Sequence, residues 1–161
     1  MGKVVFTNGC FDILHQGHFA LFEYCRKLAG EDGKVILALD TDERIRKTKG
    51  SYVLGNDDPM NHAERPYNNE FQRHINLQPP RENPLNKKPF ADDIRFFDTD
   101  EDLIRLVKLI KPDIMVKGAD WEGKHIIGSE HAKEVKFFKI VGNFSTTRIL
   151  KNIADWGTVQ R

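Results

Sequence analysis

The chain has 161 residues, of which 39% are hydrophobic and 30% charged; this suits one ordinary globular domain with a real core. A formal net charge of +1 supplies no overall field of either sign, which speaks against a nucleic-acid partner, and no apolar run reaches the roughly 18 residues of a membrane span. The 2 cysteines, Cys10 and Cys25, are too few for a disulfide framework and, with no signal-peptide pattern in "MGKVVFTNG", predict a cytoplasmic location.

In chain order, "KVVF" (3–6), "KVILAL" (34–39), "DIRFF" (93–97), "DIMVK" (113–117) and "EVKFFKIV" (134–141) are short, apolar and β-rich, as buried strands are. After the first, Leu21, Phe22, Cys25, Leu28 and Ala29 recur on one helical face, and Gly30 stands where a helix would stop. After the third, Thr99 is placed to cap an acidic helix start. Leu103, Leu106, Val107 and Ile110 then face inward, and Pro112 lies beyond the end. "NFSTTRILKNIADW" predicts a last helix capped by Ser145, with Ile149, Leu150, Ile153 and Ala154 on its buried side. Strands alternating with helices predict a doubly wound, Rossmann-like α/β fold with a five-stranded parallel sheet, in a single domain spanning 1–161. Residues 50–92 break the rhythm: polar, with six prolines and no sustained period, they predict a long irregular insertion.

The turn after the first strand, "TNGCFDILHQGHFALF" (7–22), carries the chemistry. In a doubly wound sheet, ligands bind beyond the carboxyl ends of the strands, and this turn reaches that crevice. The helix that follows aims its free N–H groups and positive dipole end there, which favours a phosphate. His15 and His18 add imidazole donors suited to an oxyanion that develops charge in phosphoryl or nucleotidyl transfer, and Gly17 allows close approach. The spacing alone leaves a capping or surface role open. A zinc site built from Cys10, His15, His18 and Cys25 is disfavoured because Cys25 falls on the apolar helix face and the ligands lack the paired spacing of structural zinc; no metal ligand set is expected. Neither a dinucleotide glycine fingerprint nor a P-loop lysine motif is present.

"TNGCFDILHQGH" resembles the nucleotide-binding signature of the cytidylyltransferase-like nucleotidyltransferases, and most resembles that of the adenylyltransferase domain of ADP-heptose synthase. "VKGADWEGKHIIGSE" (116–130) is similar to the stretch after that domain's fourth strand, and "DWEGK" within it also resembles glycerol-3-phosphate cytidylyltransferase. "FSTTRIL" (144–150) resembles the serine-threonine signature at the last helix of both. The likeness covers 3–49 and 92–155, with its signatures in the family's order.

The resemblance implies attack by an acceptor phosphate on the α-phosphorus of a nucleoside triphosphate, with pyrophosphate leaving. Positioning and charge neutralisation would carry the catalysis. It implies catalytic roles for His15, His18 and Lys49, and nucleotide contacts from Thr7, Asn8, Gly9, Cys10, Phe11, Lys47, Gly118, Asp120, Trp121, Ser145, Thr146, Thr147 and Arg148. Lys47 reads equally as part of a solvated basic stretch, and Ser145 as a plain helix cap. Asp12, Arg65 and Arg73 would serve the acceptor, although Asp12 also reads as orienting the histidine turn. Mg²⁺ is expected as countercharge for the phosphates, and a homodimer as the assembly.

The match loosens in the middle. Arg65, Pro66, Asn68 and Arg73 preserve an arginine motif of the family, but 14 residues separate Gly50 from Arg65, and "HINLQPPRENPLNKKPF" cannot continue as the family's helix through its prolines. "KIVGNFSTT" carries no arginine just before the serine-threonine signature, where the glycerol-3-phosphate enzymes have one, which favours ATP over CTP. A nucleotide-binding regulatory module using the same pocket without turnover is the alternative of another class.

Overall fold

A computed structural model of the chain describes residues 2–50, 52–53, 62–78 and 89–139. Strand β1 (Val4–Gly9) leads through the histidine turn into α1 (Gln16–Ala29) and β2 (Lys34–Asp40). Helix α2 (Asp42–Lys49) follows, then a short antiparallel pair, β3 (Tyr52–Val53) and β4 (His62–Ala63), and helix α3 (Glu70–Leu77). Next come β5 (Asp93–Phe97), α4 (Asp100–Ile110) and β6 (Ile114–Gly118). Two turns of 3-10 helix, Ala119–Trp121 and Ser129–His131, precede β7 (Glu134–Phe138). The main sheet has the order β5-β2-β1-β6-β7, with every pairing parallel. The chain winds outward from β1 through β2 to β5, then returns to the other side of β1 as β6. The connections therefore diverge at the carboxyl ends of β1 and β6, which opens a crevice there.

Both faces of the sheet are buried, so the strands are apolar throughout rather than alternating. Val5, Val35, Leu37, Leu39, Ile114 and Val116 pack with Phe22, Cys25 and Ala29 of α1 on one face. Phe6, Ile36, Ala38 and Met115 pack with Leu103 and Val107 of α4 on the other. At roughly 1.5–3 kcal/mol for each large side chain buried, these two layers hold the strand ends, and hence the crevice, in place.

Local signals agree with the sheet. Gly30, at φ 79°, ends α1 with its N–H on the Arg26 carbonyl. Thr99 caps α4 in a reciprocal box with Asp102, and Lys111 closes that helix in the left-handed region just before Pro112. β7 ends at Phe138, short of the expected 141, and the expected helix from Ser145 onward lies outside the described residues.

Two helices depart from expectation. "DERIRKTK" forms α2 although only Ile45 is buried, because its ends carry the stability: the Thr41 hydroxyl accepts from Arg44 N–H, acidic residues open the helix and basic residues close it. Within the supposed irregular stretch, α3 is capped by Asn69 and Gln72 and ends at Leu77, before the Pro79-Pro80 pair. Its buried positions are Arg73 and Leu77, a face that no apolar period reveals.

Candidate active site

The histidine turn is built from both ends. Phe11 takes a left-handed backbone (φ 47°), unusual for a bulky residue, and its buried ring lies over Gly9, where a β-carbon would approach it to 3.3 Å. The ring meets His18 edge-on at 5.6 Å and Phe22 at 5.3 Å, so core packing stabilises a backbone that local sterics disfavour.

His15 is the N-cap of α1. Its Nδ1 accepts from Gly17 N–H at 3.1 Å, while His15 N–H donates to Nδ1 of His18 at 3.2 Å, a capping box made of two imidazoles. A backbone N–H can only donate, so each Nδ1 is an acceptor and each neutral ring carries its proton on Nε2. The rings stack with centroids 3.9 Å apart. Burial lowers the pKa of His15; burial first, and the charge of His15 second, bring His18 down to about 4. At neutral pH the pair is thus uncharged and offers Nε2–H donors at a helix N-terminus. The cap itself sets the tautomer that leaves Nε2 of each ring as the donor nitrogen.

Beside this turn, a cleft of about 300 Å³ opens at the strand ends, lined among others by Asn8, Gly9, Arg44, Lys49, Lys117 and Trp121. The histidines do not line it; Cys10, which follows β1, touches its Lys49. Its thiol lies 2.7 Å from Lys49 Nζ and 3.7 Å from Asp40 Oδ2, and its pKa is raised by burial first and Asp40 next, against the opposing pull of Lys49. Arg44 is neutralised by Asp40 at 2.9 Å and Asp100 at 2.7 Å. Lys117 Nζ lies 3.4 Å from Asn8 Oδ1 and 4.7 Å from the Trp121 ring centroid.

Of the residues singled out from the sequence, Asn8, Gly9, Lys49 and Trp121 line this cleft. Gly118 ends β6, where a β-carbon would come within 2.6 Å of Asp120 Oδ1; Asp120 itself is exposed in the turn that follows. Other expectations are corrected. Thr7 and Phe11 are only 2% and 4% exposed, so their side chains support the site from within the core. Lys47 is exposed and pairs with Glu43 at 2.6 Å. Ser145, Thr146, Thr147 and Arg148 lie outside the described residues.

The acceptor triad is corrected most. Arg73 is fully buried, and its guanidinium donates to the carbonyls of Asn68 (3.1 Å), Cys10 (3.0 Å) and Asp40 (2.7 Å) and to Asp42 Oδ1 (2.7 Å). Asp12 is buried as well, its carboxylate accepting from Tyr67 and Asn68 N–H at 2.8 Å each. Both are committed to holding the Arg65–Asn69 loop against the ends of β1 and β2, so neither faces an acceptor. Arg65 is half-buried, with Nη1 3.4 Å from the Lys49 carbonyl. Asp40, Arg44 and Lys117 were missed. Lys117 adjoins Gly118 in "VKGADW" and could have been found there, whereas Arg44 sits in a charged run that looks merely solvated.

A parallel sheet with its crevice at the β1/β6 divide, a capped histidine pair and a cationic cleft make a Rossmann-like site suited to phosphates, and the family match gives the class as a nucleotidyltransferase. A family model described as cytidylyltransferase-like matches residues 6–153, and the chain belongs to that family. It is 38% identical over 153 residues to the bifunctional protein HldE of Campylobacter concisus, covering 95% of this chain and 27% of that protein. It is 37% identical over the same length to the bifunctional protein HldE of Aliarcobacter butzleri, again 95% of this chain and 27% of the relative. The chain thus spans about a quarter of the length of these curated relatives. A solved structure titled as the lipopolysaccharide core biosynthesis protein from Thermoplasma volcanium shares the fold. Its TM-score is 0.55 at 20% identity, over 89% of this chain and all of that one.

Proposed function

We propose that the chain transfers a nucleoside monophosphate from a nucleoside triphosphate, with ATP as donor, to a sugar phosphate such as a heptose 1-phosphate, releasing pyrophosphate. The observation that carries this reading is the neutral, stacked histidine pair with its protons on Nε2 at the start of α1. An oxygen of the acceptor phosphate attacks the α-phosphorus, and the bond from that phosphorus to the oxygen bridging to the β-phosphate breaks. No enzyme nucleophile takes part. His15 and His18 donate to the oxygens on which charge grows, and Lys49 neutralises the phosphate chain. Ser145, Thr146, Thr147 and Arg148 hold the β- and γ-phosphates, and Arg65 binds the acceptor. Among the described residues, no group of three or more His, Cys, Asp or Glu side chains is placed to hold a metal ion. Mg²⁺ enters this reading with the donor, as countercharge on the triphosphate oxygens.

The resemblance to the adenylyltransferase domain of ADP-heptose synthase and the identity to the HldE proteins support the choice of acceptor. The lack of an arginine in "KIVGNFSTT" supports ATP over CTP with glycerol 3-phosphate. Cys10 and Cys25 are both free thiols, in keeping with a cytoplasmic enzyme, and no helix among the described residues is long and apolar enough to cross a membrane. The test is a pyrophosphate-release screen of ATP and CTP, with Mg²⁺, against heptose and glycerol phosphates. Turnover with ATP and a heptose phosphate is expected. Tight nucleotide binding without turnover for any pair would replace this reading with the regulatory one.

A further inference from the structure

The cations of the cleft are not equivalent. Arg44 is held between Asp40 and Asp100, and its charge is spent within the protein. Lys49 and Lys117 have no carboxylate within ion-pair distance among the described residues. Lys49 is exposed and rests on the Cys10 thiol. Lys117, in contrast, leaves the sheet one residue before the end of β6, beside Asn8 of β1, and its ammonium is set down into the cleft over the Trp121 ring. A 3.4 Å hydrogen bond to one amide oxygen and an aromatic face are weak compensation for a half-buried charge. Burial lowers its pKa; Asp40 pulls the other way and Lys49 adds to the lowering. A snorkelling lysine would carry its charge out to water, but this one is aimed inward at the strand ends where the family's crevice lies.

We infer that Lys117 is a second phosphate anchor of the donor site, acting with Lys49 on the polyphosphate chain of the nucleoside triphosphate, while Trp121 is the ammonium's partner when no nucleotide is bound. The inference rests on the proposed nucleotidyl transfer for the identity of the anion, and it names a residue to which that reading gives no part. Trp121 then holds the lysine in one place, so that little side-chain freedom is lost when the anion arrives.

Calorimetric titration with inorganic tripolyphosphate and with MgATP tests it, on the full chain and on the Lys117→Met, Lys117→Gln and Lys117→Arg variants. Met and Gln keep the stem over Trp121 and remove the charge. The expected result is a dissociation constant weakened about 10- to 100-fold for both ligands in Lys117→Met and Lys117→Gln, the range of one charge-assisted hydrogen bond, and largely restored in Lys117→Arg. Circular dichroism identifies a variant that fails to fold, and the other neutral variant then decides. Wild-type affinity for tripolyphosphate in a folded neutral variant overturns the anchor, as does a wild-type chain that binds no tripolyphosphate. Lys117-dependent binding without turnover on any acceptor sinks the transfer reading and leaves the anchor standing. Turnover with Lys117-independent affinity does the reverse.

Discussion

His18 is caught between two demands, since it must accept from the His15 N–H to finish the cap and donate from Nε2 to be of chemical use. Only the neutral Nδ1-acceptor tautomer meets both. His18→Ala should therefore lower turnover by roughly a hundredfold to a thousandfold, with a much smaller change in nucleotide affinity, and His15→Ala should do the same or worse. Steady-state rates alongside calorimetric binding separate this from a role confined to capping, which would move the melting temperature alone. The same geometry has a pH signature in the ligand-free protein. The folded pKa of His18, about 4, lies below its ordinary 6.5, so the unfolded chain takes up a proton first as the pH falls. His18 thus contributes stability above pH 6.5 that is lost progressively down to about pH 4. Melting temperatures of wild type and His18→Gln across this range should converge as the pH falls; parallel curves would contradict the assignment.

The α2 and α3 helices owe their place to polar links, and Arg73 is the chief of them. One guanidinium ties α3 to the carbonyls that end β1 and β2 and to the first residue of α2. Arg73→Ala would leave Asp42 and these carbonyls without their partner. Urea denaturation should show a loss of about 3 kcal/mol or more, since buried carbonyl acceptors left unpaired cost about 1–3 kcal/mol each. Arg65, at the rim of the same loop, is the better probe of the acceptor. Arg65→Ala should raise the acceptor's Michaelis constant several-fold and leave the donor's nearly unchanged, and unaltered acceptor kinetics would remove it from the site.

Taken together, the parallel sheet places every described part of the site at one end: the histidine turn after β1, Lys49 after β2, and Lys117 with Trp121 at and after β6. The family resemblance implies a homodimer with the histidine turns near the contact, which is an expectation to be tested. Sedimentation velocity over a range of concentrations should show a dimer; a persistent monomer that retains full turnover would show the site to be complete in one chain.

Local order accounts for what could be read directly from the residues. Apolar runs form β1, β2, β5, β6 and β7 because both sheet faces are covered, and the glycine at 30 and the threonine at 99 punctuate the helices as their backbone chemistry requires. The three-residue spacing of His15 and His18 places both rings on one face of a helix start, so their partnership was visible from sequence. α2 escaped because eight residues with a single buried apolar side chain carry no hydrophobic stripe, and α3 because half of its buried pair is an arginine. The roles of Arg73, Asp12 and Lys117 depend on contacts between residues 63, 56 and 109 positions apart, respectively. No spacing rule reaches that far. Whether a charged side chain meets substrate, loop or solvent is decided by which backbone ends the sheet brings together. The tertiary structure alone could therefore make clamps of Arg73 and Asp12 and bring a lysine of the fourth parallel strand into the cleft at the strand ends.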